Sequence, residues 1–255
     1  MKQTERPVVI VGNWKMYKTI KEALAFIKEL VPLVKNSTAK IYLAIPFTAI
    51  KSAAEAAKKT NIVIGAQNMH DVSEGAFTGE VAAEMLKEAG ARFVILGHSE
   101  RRRIFLETNS FINRKVKRAL AEGLQPILCI GETWEERQEG KTAEILKTQL
   151  SECLEGIEKE QIEKIIVGYE PVWAIGTDQT ATPDQAQEAH ALCRSFILEL
   201  ADEAIAQRTI ILYGGSVKAD NASVLLDEPD VDGLLVGGAA LSADSFSKIV
   251  NFNKV

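Results

Sequence analysis

The chain has 255 residues, 46% of them hydrophobic and 25% charged, with a formal net charge of −5. That length suits one α/β barrel of roughly 250 residues or two small domains, and the acidic balance argues against nucleic acid as the main partner. Cys129, Cys153 and Cys193 lie far apart with no CxxC pair, and the only imidazoles are His70, His98 and His190, so neither a structural zinc site nor a disulfide framework is suggested.

The chain opens on a polar heptapeptide followed by only four apolar residues, 8–11. That is too short for a signal-peptide core and far short of the ~20 residues of a membrane span, so a cytoplasmic location without membrane partners is expected. The run at 8–11 reads as a buried strand and is followed by Gly12-Asn13-Trp14-Lys15. A lysine just past a strand end projects over the mouth of a barrel, although a solvated surface lysine has the same local pattern. Next, Ile20, Leu24, Ile27, Val31 and Val34 recur at helical spacing. Thr19 with Glu22 forms a capping-box signature, and Pro32 is expected to kink or end the helix.

Further apolar runs at 41–45 and 62–65 lead to a long loop, 67–79, carrying Met69, His70, Val72 and Phe77. Exposed on an isolated barrel, such side chains would mark an interface; the alternative is a loop folded back on its own barrel. Gly90 and Gly123 follow helical patterns where a left-handed residue is wanted. The run at 93–96 ends in Gly97-His98-Ser99-Glu100-Arg101-Arg102. His98 would stand at the start of a short helix, where the local positive potential favours a neutral ring able to polarise a carbonyl. A structural histidine is the alternative.

Runs at 127–130 and 165–167 follow, the second leading to Tyr169-Glu170-Pro171-Val172-Trp173-Ala174-Ile175-Gly176-Thr177. An apolar segment after a strand-end carboxylate reads as a lid, and burial of Glu170 is expected to raise its basicity. The alternative is an apolar loop packed on neighbouring helices, with Glu170 in a salt bridge. Thr182, Pro183 and Gln185 mark a strong helix start. The runs at 210–213 and 234–236 end in Gly-rich turns, Gly214-Gly215-Ser216 and Gly237-Gly238-Ala239. After the last two strands of a barrel such turns bring main-chain N–H groups close to a phosphate. Eight strand–helix alternations without a linker predict one closed parallel (β/α)8 barrel spanning 1–255, with an open doubly wound sheet as the alternative.

Over essentially its whole length the chain resembles the triosephosphate isomerase family. Segments 12–15, 65–68, 97–102, 129–132, 170–177, 213–217 and 233–238 carry the resemblance, in order and spacing. The family is itself a standard example of pKa tuning and loop closure. The resemblance implies that Glu170 abstracts a carbon-bound proton, that neutral His98 is the electrophile, and that Lys15 stabilises the oxyanion with Asn13 orienting substrate beside it. Glu100 would be a supporting or proton-relay group near Lys15. Main-chain amides of Gly176, Ser216, Gly237 and Gly238 would hold the phosphate of glyceraldehyde 3-phosphate or dihydroxyacetone phosphate. No metal or organic cofactor is implied, because His98 and Lys15 stabilise the oxyanion. Cys129 is expected to pack, not to react. The family's 67–79 loop inserts into a partner subunit, with Thr78 at the tip, which implies a homodimer.

The chain departs from the family at Asp178-Gln179, where Gly-Lys is common, and at Ala240, where serine is common. The first departure implies a change in lid rate, the second little effect. Two rivals are a Schiff-base sugar-phosphate aldolase with Lys15 as nucleophile, and a non-catalytic phosphate-binding barrel. A Schiff-base lysine needs a desolvated or cationic setting, which Glu100 does not provide.

Overall fold

A computed structural model describes residues 6–176 and 180–254. Eight parallel strands close in sequential order: β1 Val9–Asn13, β2 Lys40–Ile45, β3 Ile62–Ala66, β4 Phe93–Leu96, β5 Gln125–Ile130, β6 Ile166–Tyr169, β7 Ile211–Tyr213 and β8 Gly233–Val236. The ring closes where Val9 pairs with Gly233 and Gly12 with Val236. This is the parallel (β/α)8 barrel that the alternation predicts, and the open sheet is excluded.

Because side chains alternate along a strand, each run supplies two cores. Val9 and Val11 point into the barrel with Ala44, Ile95, Ile127, Cys129, Ile166, Leu212 and Leu235, while Ile10, Ile41, Leu43, Ile64 and Leu96 join the layer beneath the helices. Both faces of the sheet are therefore dry, which is why the strands read as continuous apolar runs.

Two local expectations need correction. The helix Ile20–Val34 runs through Pro32, which therefore does not end it. Its buried face is Ala23, Phe26, Ile27, Leu30 and Val34, whereas Ile20 and Leu24 are exposed. Residues on both sides of Pro32 are anchored to the barrel, and that packing outweighs the ~3 kcal/mol local cost of an interior proline. The capping boxes at Thr19/Glu22 and Thr182/Gln185 are both formed. Gly90 and Gly123 have positive φ after their helices, at 104° and 73°. No helix among the described residues is long and apolar enough to cross a membrane.

Candidate active site

The closed barrel places the residues after each strand around one mouth. β1 extends to Asn13, two residues beyond the apolar run, so Asn13 is buried at the strand end. Lys15 then adopts φ 52°, an uncommon conformation for a side-chain-bearing residue. Asn13 Oδ1 accepts from the Lys15 amide at 3.0 Å, and Gln67 Nε2 donates to the Lys15 carbonyl at 2.9 Å and to that of Ala44 at 3.0 Å. Those bonds hold a backbone that costs of order 1–3 kcal/mol to strain. The ammonium is thereby aimed, and it meets Glu100 Oε1 at 2.6 Å.

His98 caps the helix Ser99–Ile104 with its own ring: Nδ1 accepts from the Glu100 amide at 3.2 Å. That acceptor role assigns the proton of a neutral ring to Nε2, which lies 2.9 Å from Glu170 Oε1. Burial pushes the imidazole pKa down, but the Glu170 carboxylate, aided by Glu100, wins and raises it above its ordinary value. The expected cause, the helix terminus, is outweighed by a carboxylate in contact.

Glu170 follows β6, its amide donating to the Ile130 carbonyl at 2.7 Å. Gly131 makes that approach possible, because a Cβ there would run into the Glu170 carbonyl oxygen. The carboxylate is buried, with Oε2 accepting from the Ser99 amide at 2.9 Å and Oε1 accepting from the Ser99 hydroxyl at 3.3 Å. Burial raises its pKa, yet His98, the Ser99 amide and Lys15 together lower it below the ordinary carboxylate value. The expectation that burial makes Glu170 more basic therefore fails for this arrangement. Donors surround the group and quench it.

A cavity of about 310 Å³ is lined by Asn13, Lys15, His98 and Glu170 together with Gly176, Ser216, Gly237 and Gly238. Every residue singled out for chemistry or phosphate contact borders it except Glu100. That side chain lines a neighbouring cavity of about 380 Å³ and reaches the site through Lys15, and its Oε2 is 3.7 Å from His98 Nδ1. Thr177, Asp178 and Gln179 lie outside the described residues. No sequence pattern points to roles for Ser99, Gln67 and Lys218. Ser99 holds Glu170, Gln67 holds the Lys15 backbone, and Lys218 lines the cavity. Adjacency to His98 could have pointed to Ser99, but nothing local could have paired Gln67 with Lys15.

A family model described as triosephosphate isomerase matches residues 8–253. The chain belongs to the triosephosphate isomerase family. A protein of Protochlamydia amoebophila named triosephosphate isomerase is 56% identical over 251 residues, covering 98% of this chain and 95% of that one. One of the same name from Caldanaerobacter subterraneus subsp. tengcongensis is 48% identical over 247 residues, covering 97% and 100%. Another, from Fusobacterium nucleatum, is 50% identical over 246 residues, covering 96% and 98%.

Membership of the triosephosphate isomerase family disfavours both rivals, and the geometry agrees. Lys15 is ion-paired to a carboxylate, the opposite of the cationic setting an aldolase lysine needs. A binding barrel has no use for a carboxylate and an imidazole at 2.9 Å on the cavity wall. Cys129 is fully buried inside the barrel and burial pushes its thiol well up, as suits packing.

Proposed function

We propose that this chain interconverts glyceraldehyde 3-phosphate and dihydroxyacetone phosphate, with Glu170 as the base, His98 as the electrophile and Lys15 as the cation beside the developing oxyanion. One observation carries the reading: Glu170, His98 and Lys15 border the same cavity as the glycine-rich turns after β7 and β8. Main-chain amides of Gly176, Ser216, Gly237 and Gly238 hold the phosphate, with Asn13 orienting the carbon chain. Glu170 must first turn from Ser99 towards the substrate. Giving up its contacts with the His98 ring and the Ser99 amide removes two of the causes that lower its pKa, and burial then acts to make it a stronger base.

The freed carboxylate takes a proton from one carbon. The electron pair moves to the adjacent carbonyl oxygen, which His98 Nε2–H and the Lys15 ammonium stabilise. Proton exchange between the two oxygens through His98 and return of the Glu170 proton to the neighbouring carbon complete the isomerisation. Glu100 holds Lys15 in place. Segment 171–176 closes over the site and excludes water while the enediolate exists. A coupled assay on glyceraldehyde 3-phosphate tests this. Glu170→Asp retracts the carboxylate by one methylene and is expected to cut kcat at least 100-fold with a smaller change in KM. Wild-type protein without isomerase activity, or a borohydride-trapped adduct on Lys15, would refute it.

We also propose a cytoplasmic homodimer. Phe77 is 48% exposed, with Met16 at 94% and Phe105 at 62%, and the last two border the cavity beside Lys15. Apolar exposure on that scale fits a face covered by a second copy. Within the 67–79 loop, however, Met69 is fully buried in the chain's own core, so Phe77 is the loop's exposed apolar anchor.

A further inference from the structure

The lid residue Trp173 is caged by the short helix Trp134–Gln138, which follows β5. Its ring centroid lies 5.6 Å from that of Trp134, at an interplanar angle of 52°, and the Arg137 guanidinium carbon sits 5.1 Å from the Trp173 ring. The Trp173 indole donates to Glu132 Oε1 at 2.9 Å, an oxygen that also accepts from Tyr169 at 3.0 Å and Arg137 at 3.2 Å. The Val172 amide donates to the Glu132 carbonyl at 3.1 Å.

Trp134 stands out within that cage. It is 40% exposed, on a five-residue helix that buries none of its side chains. A large indole in such a place adds little to the core, and the aromatic ring it meets is that of the lid. In this same arrangement Gly176 is exposed, nothing lies within 4 Å of where its Cβ would be, and Glu170 is parked on Ser99. Closure of 171–176 over a phosphate held by the turns at Ser216 and Gly237 would have to move the segment that carries Trp173, and so would strain the contacts Trp173 makes here.

We propose that Trp134 is a positioning residue that stacks on Trp173 and biases the lid towards its open arrangement. The proposal rests on the reading of 171–176 as a lid. An aromatic pair contributes about 0.5–1.5 kcal/mol beyond area burial, equivalent to roughly 2- to 12-fold in the closed-to-open ratio. Each turnover must break the stack to bind and re-form it to release product, a step that often limits such enzymes.

The probe is 2-phosphoglycolate, a carboxylate and phosphate of the enediolate's size, titrated calorimetrically, with steady-state kinetics alongside. Trp134→Ala is expected to tighten the analogue about 3- to 10-fold and to lower KM, with kcat unchanged or reduced. Trp134→Phe, which keeps a ring, is expected to stay within about twofold of wild type. Should the alanine variant not fold by circular dichroism, Trp134→Leu keeps apolar volume without a ring and carries the same expectation as alanine. Unchanged or weaker analogue binding in a folded ringless variant overturns the proposal, as does a phenylalanine variant as tight as the ringless ones. A wild-type protein that fails to bind 2-phosphoglycolate would instead sink the isomerase reading itself.

Discussion

Glu170 and His98 illustrate how contact overrides burial. Each is buried, and burial alone would raise the carboxylate and lower the imidazole, yet each moves the other way. The lowered Glu170 contributes stability above its ordinary value of 4.5 that is lost as pH falls through the lowered one. The raised His98 contributes stability below 6.5 that is lost as pH rises through the raised one. Both contributions are therefore fully present between 4.5 and 6.5.

His190 behaves in the opposite sense. It is fully buried beside Tyr169, Nδ1 lies 3.2 Å from the Asp230 carbonyl, and burial drives its pKa down to about 4. The unfolded chain then binds a proton that the folded one refuses, so stability falls as pH drops from 6.5 towards about 4. The loss should approach about 3 kcal/mol over that window. Urea titrations at several pH values on wild type and His190→Gln check this; equal slopes for the two proteins would show that His190 is not the group responsible.

At the scale of elements, short helices and loops do the aiming. The long helix Pro183–Leu200 begins on a complete capping box, with Thr182 Oγ1 accepting from the Gln185 amide at 3.2 Å and Gln185 Oε1 accepting from the Thr182 amide at 3.0 Å. Thr182→Ala removes the first of these bonds and should destabilise the fold by about 1 kcal/mol in chemical denaturation, leaving kcat within a factor of two. This cap was legible because its partners are three residues apart. The helix start at His98 was equally legible, but not its ring acting as the cap. The stripe on Ile20–Val34 meets the buried face at Ile27 and Val34 but runs to the exposed flank at Ile20 and Leu24, because periodicity finds a helix face without showing which flank the barrel covers.

For the whole molecule, the exposed apolar side chains Met16, Phe77 and Phe105 predict self-association. Phe77→Glu would bury a carboxylate at the proposed contact and should shift the protein from dimer to monomer in sedimentation velocity at micromolar concentration, with activity falling on dilution. A wild-type monomer at those concentrations would count against the dimer.

The eight strand–helix alternations and the positions of Asn13, Lys15, His98 and Glu170 at strand ends followed from the sequence alone, because alternation and strand-end placement are local properties, whereas closure of the barrel was decided by the pairing of β1 with β8. Only the tertiary structure decided what each group feels. That Glu170 rests on Ser99, that Gln67 props the Lys15 backbone and that Trp134 meets Trp173 depends on contacts between residues 39 to 71 positions apart. Hydrogen bonds need contact within about 3 Å and charge interactions fade over roughly 10 Å, so no pattern along the chain can report neighbours brought together by closure of the barrel.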